Sequence, residues 1–208
     1  TYLCVGASNS WDLFHREFAS DHPELLQYMR HGKYSINVLK RFKDGTYYED
    51  FFADKVCKML TDCGFTGLHV MDNFCPGAGG TYSNDYSLDM LEQFSAHTGI
   101  AIPGELLALG DDDSETSCQK RGDWIWEYHR QGWIEFHAWR WEGFWKKICG
   151  RLHAIGKKTF VLGMYCTDPF QTLYVKGVDL RRIVNAGVDS LMPNVAASGS
   201  AIGKKRPW

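Results

Sequence analysis

Long apolar runs are missing from this 208-residue chain. Nothing in it approaches the ~18 consecutive apolar residues of a membrane-spanning helix, so no membrane partner is expected. Charge of one sign is missing too. Lys and Arg number 23 against 25 Asp and Glu, the net charge is −2 and the pI about 6.4. No broad basic surface is available for nucleic acid, and the one basic cluster, Lys204-Lys205-Arg206, reads as a solvated tail. Paired-cysteine motifs are absent. The seven cysteines show neither C-x-x-C nor zinc-finger spacing, and an odd number leaves at least one unpaired. That pattern fits a reduced, cytoplasmic setting, with Cys57 and Cys149 as small core residues inside helix patterns. The amino end, residues 1–6, has neither an initiator Met nor the basic and apolar regions of a signal peptide, as expected of a chain processed or cut from something larger.

Cofactor signatures are also missing. No strand-like run is followed by Gly-x-Gly-x-x-Gly or by a P-loop, and there is no Gly-x-Ser-x-Gly and no His-Glu-x-x-His. The glycine-rich Pro76-Gly77-Ala78-Gly79-Gly80 lacks the P-loop lysine. Asp111-Asp112-Asp113 lacks calcium-loop spacing and reads as a solvated acidic loop. No cofactor and no metal is therefore expected.

What is present is a composition, 44% hydrophobic and 23% charged, ordinary for one globular domain over residues 1–208 with a sizeable core. Residues 66–71 form a short apolar run that stops at Asp72-Asn73. A helix pattern at 49–63 precedes it and a second, at 88–97, follows and stops at Thr98-Gly99. Strand patterns recur at 34–39, 159–165 and 188–192. A single long helix is expected over 124–155, closed by Gly156 and Lys157-Lys158, and a shorter one over 180–186. The alternation predicts an α/β fold with a parallel sheet, a TIM-barrel-like (β/α) barrel. Three or four βα units are fewer than the eight of a closed barrel, so the barrel is incomplete or the sheet open.

Six of the eight tryptophans fall within residues 124–145. Ile134, Trp141, Trp145, Ile148, Leu152 and Ile155 recur at helical steps and form a core face. Trp124 and Trp126 fall at the expected start of the long helix, where aromatic faces can stack on a sugar ring.

Val70-Met71-Asp72-Asn73-Phe74, with Tyr82-Ser83, Met90-Leu91-Glu92-Gln93-Phe94 and His97-Thr98-Gly99, resembles the glycoside hydrolase (β/α)8 barrels, nearest to the family 42 β-galactosidase-like enzymes. Asp168-Pro169-Phe170, Gly177-Val178-Asp179 and Ala186-Gly187-Val188-Asp189 resemble a later unit of such barrels. The resemblance spans roughly residues 51–194. It implies carboxylate acid/base hydrolysis of a glycan or oligosaccharide, with no cofactor. The family pattern has its general-acid Glu directly after Asp-Asn, where this chain has Phe74. Asp72 then takes the acid role, with Asp168, past the next strand end, as its partner. Asn73, His69, Tyr165, Trp124, Trp126 and Asn194 are the substrate-binding candidates. Asp189, just inside a strand start, is weighed as a further carboxylate and reads as structural. His69 lies within its strand, where internal packing competes with a binding role. Phe74 and Asn194, which cannot move a proton, favour an alternative: a non-catalytic carbohydrate-binding or degenerate barrel. A further chain segment or a partner would complete the wall.

Overall fold

Helix and strand patterns that alternate must layer against one another, and the computed structural model, which describes residues 1–5, 13–70, 80–110, 112–162 and 169–192, is layered in this way. In chain order the described residues form β1 (Tyr2–Val5), α1 (Leu13–Asp21), β2 (Leu26–Met29), β3 (Gly32–Ile36), α2 (Tyr48–Asp62) and β4 (Gly67–Val70). Then come α3 (Leu88–Thr98), α4 (Gly104–Leu107), α5 (Glu115–Tyr128), α6 (Arg130–Ala154), β5 (Lys158–Leu162), α7 (Pro169–Lys176), α8 (Leu180–Asn185) and β6 (Ser190–Met192). Short 3-10 turns occupy Pro23–Leu25 and Gly80–Ser83.

Strands β1, β4, β5 and β6 lie side by side in that order, all parallel, with Val5, Val70, Val161 and Leu191 in register. Gly67 lets the strands close up, since a Cβ there would stand 2.2 Å from the Lys158 carbonyl oxygen. The described strands of this parallel sheet number four, and a closed (β/α)8 barrel has eight.

Two expectations need correction. The strand expected at 34–39 does not join this sheet. It is β3, which ends at Ile36 and pairs antiparallel with β2 as a separate hairpin. Asn37 turns the chain by accepting the Leu39 amide on its side chain, so Val38 and Leu39 enter the core from a turn. The single helix expected over 124–155 is two helices. His129, at φ −134°, breaks the helical backbone between α5 and α6. The break spans one residue and leaves the apolar period nearly in phase, so the pattern reads straight through it.

Helix α6 is the spine of the core. Ile134, Trp141, Trp145, Ile148 and Leu152 are buried as expected, with Trp133, Phe136 and Phe144 beside them. Ile155 departs from the pattern. It is the C-cap residue and lies exposed. Behind it Gly156 takes a left-handed φ of 68°, and the Gly156 and Lys157 amides bond back to His153 and Leu152 in a Schellman closure. Helix α2 docks on α6 through Phe52 on Phe144, and through the buried ion pair of Arg140 with Glu49 at 2.8 Å.

The two faces of the sheet differ. Side chains alternate along strands, which puts Leu68, Val70, Thr159 and Val161 on one face, all buried under helices that include α2 and α6. The other face carries Tyr2, Cys4, His69, Phe160 and Met192. Tyr2 is 44% exposed and Met192 47%. No described helix is long and apolar enough to cross a membrane.

Candidate functional site

Parallel register brings Val5, Val70, Leu162 and Met192, the carboxyl ends of the four strands, to one edge of the sheet. In α/β folds that edge is where ligand sites form. Residues 6–12, 71–79, 163–168 and 193–208 follow these ends in sequence and lie outside the described residues. Asp72, Asn73, Tyr165, Asp168 and Asn194 are therefore outside them as well. The strands that precede the two aspartate-bearing segments in sequence, β4 and β5, are hydrogen-bonded neighbours.

A polar frame ties together the described parts of the loops that follow β1, β4 and β5. Its hub is Asp85, which is 0% exposed. One carboxylate oxygen accepts the Tyr28 amide at 3.1 Å and the Ser87 amide at 2.9 Å, and the other accepts Asn37 Nδ2 at 2.9 Å. Lys40 Nζ stands 3.7 Å from the second oxygen, donates to the Leu26 carbonyl at 2.9 Å and lies over the Tyr28 ring. The β2–β3 hairpin is thereby clamped to the loop after β4.

Arg30 adds a second clamp. It donates to the Tyr82 carbonyl at 3.1 Å and pairs with Asp123. Gly122 makes room, since a Cβ there would meet the Arg30 guanidinium at 2.9 Å. Asp113 is not a solvated loop carboxylate as expected. It accepts from buried Arg121 at 2.7 Å, and burial raises its pKa against the pull of Lys40 and Arg121. Asp112 accepts from Ser114 and Ser117 at the start of α5, which lowers its pKa. Helix α7, the next described element after β5, joins through Thr81 Oγ1, which donates to the Tyr174 carbonyl at 2.8 Å. Gly80 fits beneath α7 only because it lacks a Cβ, which would stand 2.1 Å from the Val175 carbonyl oxygen.

The described candidates divide. His69 sits mid-strand on the less covered sheet face, its ring 4.7 Å from that of Phe160, and its Nε2 is buried without a hydrogen-bond partner. Trp124 and Trp126 lie in the last turns of α5, not at a helix start, because α5 begins at Glu115, well before the start expected at Trp124. Trp124 packs edge-on against Phe94 and His129, a structural placement. Trp126 meets Tyr82 edge-on at 5.0 Å, on the loop after β4, and Arg130 lies over its ring. Asp189 serves structure. It accepts from the Thr159 amide at 2.8 Å, from Thr159 Oγ1 and from His153, joining β6 to β5. Burial opposes its charge, but those hydrogen bonds outweigh it and hold the pKa below the ordinary carboxylate range.

Two cavities flank this frame. One, of about 500 Å³, is lined by Tyr28, Lys40, Arg41, Asp89, Glu92 and Asp113, among others. Its charges largely pair with one another, Arg41 with Asp89 at 2.6 Å and with Glu92 at 2.9 Å. The other, of about 760 Å³, lies between α6 and α7 and is lined by Arg130, Gln131, Ile134, Phe170, Leu173 and Tyr174, with Gly132 and Glu135. Sequence reasoning gave none of these residues a binding role, placing Ile134 in the core face and Phe170 only within the barrel resemblance. A signal was present: Pro169 at a helix start, with Phe170 and Tyr174 one helical turn apart. Among the described residues no group of three or more His, Cys, Asp or Glu is placed to hold a metal ion.

Compared with protein-family models, with curated proteins and with solved structures, the chain matches none.

Proposed function

We propose that this chain is a glycoside hydrolase acting on a glycan or oligosaccharide, built on part of a (β/α) barrel. The observation that carries the reading is the adjacency of β4 and β5, parallel and in register. Asp72 follows Val70 by two residues, and Asp168 directly precedes α7 in the segment after β5. Two carboxylates leaving neighbouring strands at one sheet edge are the minimum that glycoside hydrolysis needs. One protonates the departing oxygen, and the other attacks the anomeric carbon or activates a water. Asp72 is assigned the acid, since Phe74 stands where the resembling enzymes carry theirs. Asp168 is the nucleophile or base. Asn73, Tyr165 and Asn194 hold sugar hydroxyls by hydrogen bonds, and Trp126 offers an aromatic face from the frame.

Parallel sheets are normally covered on both faces. The sparse cover over Tyr2, Cys4 and Met192 supports a further set of βα units, from the same polypeptide or a partner, closing the wall. The cysteines Cys4, Cys57, Cys63, Cys118 and Cys149 are all free, which supports a cytoplasmic setting.

A second reading, a carbohydrate-binding barrel without catalysis, is favoured by Phe74 and Asn194 alone. Hydrolysis of aryl glycosides (β-galactoside, α- and β-glucoside, α-fucoside, β-mannoside) by the wild type and by Asp72→Asn separates the two. The enzyme reading expects turnover on at least one substrate, reduced at least ~100-fold by the substitution, the scale of a lost general acid. A folded protein with no turnover on any of them leaves the binding reading.

A further inference from the structure

The cavity between α6 and α7 has a composition that the frame does not require. Phe170 is 73% exposed and Tyr174 is 40% exposed. Apolar rings on a surface helix ordinarily turn inward, yet these two lie parallel, 10° apart in plane with centroids 6.0 Å apart. They line one side of the 760 Å³ space, with Ile134 and Leu173 as its apolar floor. Across from them stand Arg130 and Gln131, in the first turn of α6. Glu135 is already paired with Arg182, and Arg130 rests over Trp126 without a carboxylate partner. Gln131 is exposed and bonds to no described residue. The volume lies within the range of small-molecule sites.

Two exposed, near-parallel rings sharing a groove with hydrogen-bonding side chains that carry no ion pair match one class of ligand. A pyranose has an apolar C–H face that lies flat on aromatic rings and an equatorial rim of hydroxyls that accept from a guanidinium and exchange bonds with an amide. A purely apolar ligand would leave Arg130 and Gln131 unused, and an anion would gain from Arg130 alone while meeting Glu135 beside it.

We infer that the groove between α6 and α7 is a carbohydrate subsite, with Phe170 and Tyr174 as the platform and Arg130 and Gln131 as hydroxyl partners. This rests on the hydrolase reading, and Phe170 stands two residues after Asp168 in the chain. The subsite holds a sugar unit of an oligosaccharide whose scissile bond lies at the strand ends, and so favours chains over single sugars.

Titration calorimetry with neutral oligosaccharides (xylo-, gluco-, galacto- and manno-series, two to five units) tests this in the Asp72→Asn background, where hydrolysis of the ligand is slowed. Phe170→Ala, Tyr174→Ala and Gln131→Ala are added singly, and circular dichroism checks each fold. Trp139→Ala serves as a control, an exposed aromatic stacked on His97 away from the groove. The subsite expects binding that strengthens with chain length, a loss of about tenfold for each ring removed, and no change with the control. Binding that is unaltered by Phe170→Ala and Tyr174→Ala overturns the subsite and leaves the hydrolase reading standing. Absence of both oligosaccharide binding and wild-type glycoside turnover overturns the two together.

Discussion

Burial decides the protonation of several side chains one residue at a time, and His137 is the clearest. It sits among Trp133, Phe136 and Gly177, with Nδ1 2.9 Å from the Trp133 carbonyl oxygen and Nε2 without a partner. The carbonyl requires the proton on Nδ1, so the ring is neutral with Nε2 bare. Burial pushes its pKa down to about 4, more than the Trp133 hydrogen bond and Asp85 can offset, while Arg140 pushes it lower still. In the unfolded chain the same ring protonates near ~6.5. Between those values the unfolded state binds a proton that the folded state does not, so stability is fully present above ~6.5 and falls as pH drops towards 4. The total is ~3 kcal/mol from this one group. Urea unfolding from pH 7 to pH 4 is expected to show that slope in the wild type and to lose about one proton's worth of it in His137→Phe. An unchanged slope in the variant would remove His137 from the account. The same burial lifts the Cys118 thiol to about 12 and that of Cys149 to about 11, so both are small core residues and neither is a nucleophile.

Elements were legible where periodicity is local and obscure where partners are distant. Helices α2 and α3 and strands β4 and β5 follow their patterns to within a few residues over the described parts, because each buries a face whose spacing is written in consecutive residues. Strand β1 is four residues long and half-exposed, and β2 reads Leu-Gln-Tyr-Met, so neither carries a period to detect. The adjacency of β4 and β5, on which the two-aspartate site depends, followed from the alternation of elements; Asp72 and Asp168 themselves lie outside the described residues. Asp85 was illegible for another reason. Between Asn84 and Tyr86 it resembles any turn residue, and its partners Tyr28, Asn37 and Lys40 are far away in sequence. Yet it holds the hairpin to the loop after β4. Asp85→Ala would leave two amides and the Asn37 side chain without their acceptor, and buried Lys40 without its counter-charge. A loss of ~3–5 kcal/mol is expected in chemical denaturation, with Asp85→Asn costing less because one oxygen still accepts. A cost below ~1 kcal/mol would show that the hairpin is held by other contacts.

On the scale of the whole molecule the unequal covering of the sheet has a physical consequence. Face-to-face burial normally hides both sides of a parallel sheet, and a free strand edge is a template for pairing with another chain. Among the described residues β1 and β6 are the two edges of the four-stranded order, and the lightly covered face between them carries Tyr2, Phe160 and Met192. A net charge of −2 gives little repulsion to keep copies apart. The 208-residue chain by itself is therefore expected to associate through this face, in a concentration-dependent way at micromolar levels. Tyr2→Glu combined with Met192→Glu places two like charges on the face, of the same sign as the chain's net charge, without entering the helix-packed core, and should return the chain to a monomer while leaving its helical circular dichroism unchanged. Sedimentation velocity over a hundredfold concentration range distinguishes the outcomes. A wild type that sediments as a monomer throughout would mean the face is satisfied within the chain itself, and the case for further βα units closing the wall would fall with it. Association that the two glutamates abolish would identify this face as the surface those units cover.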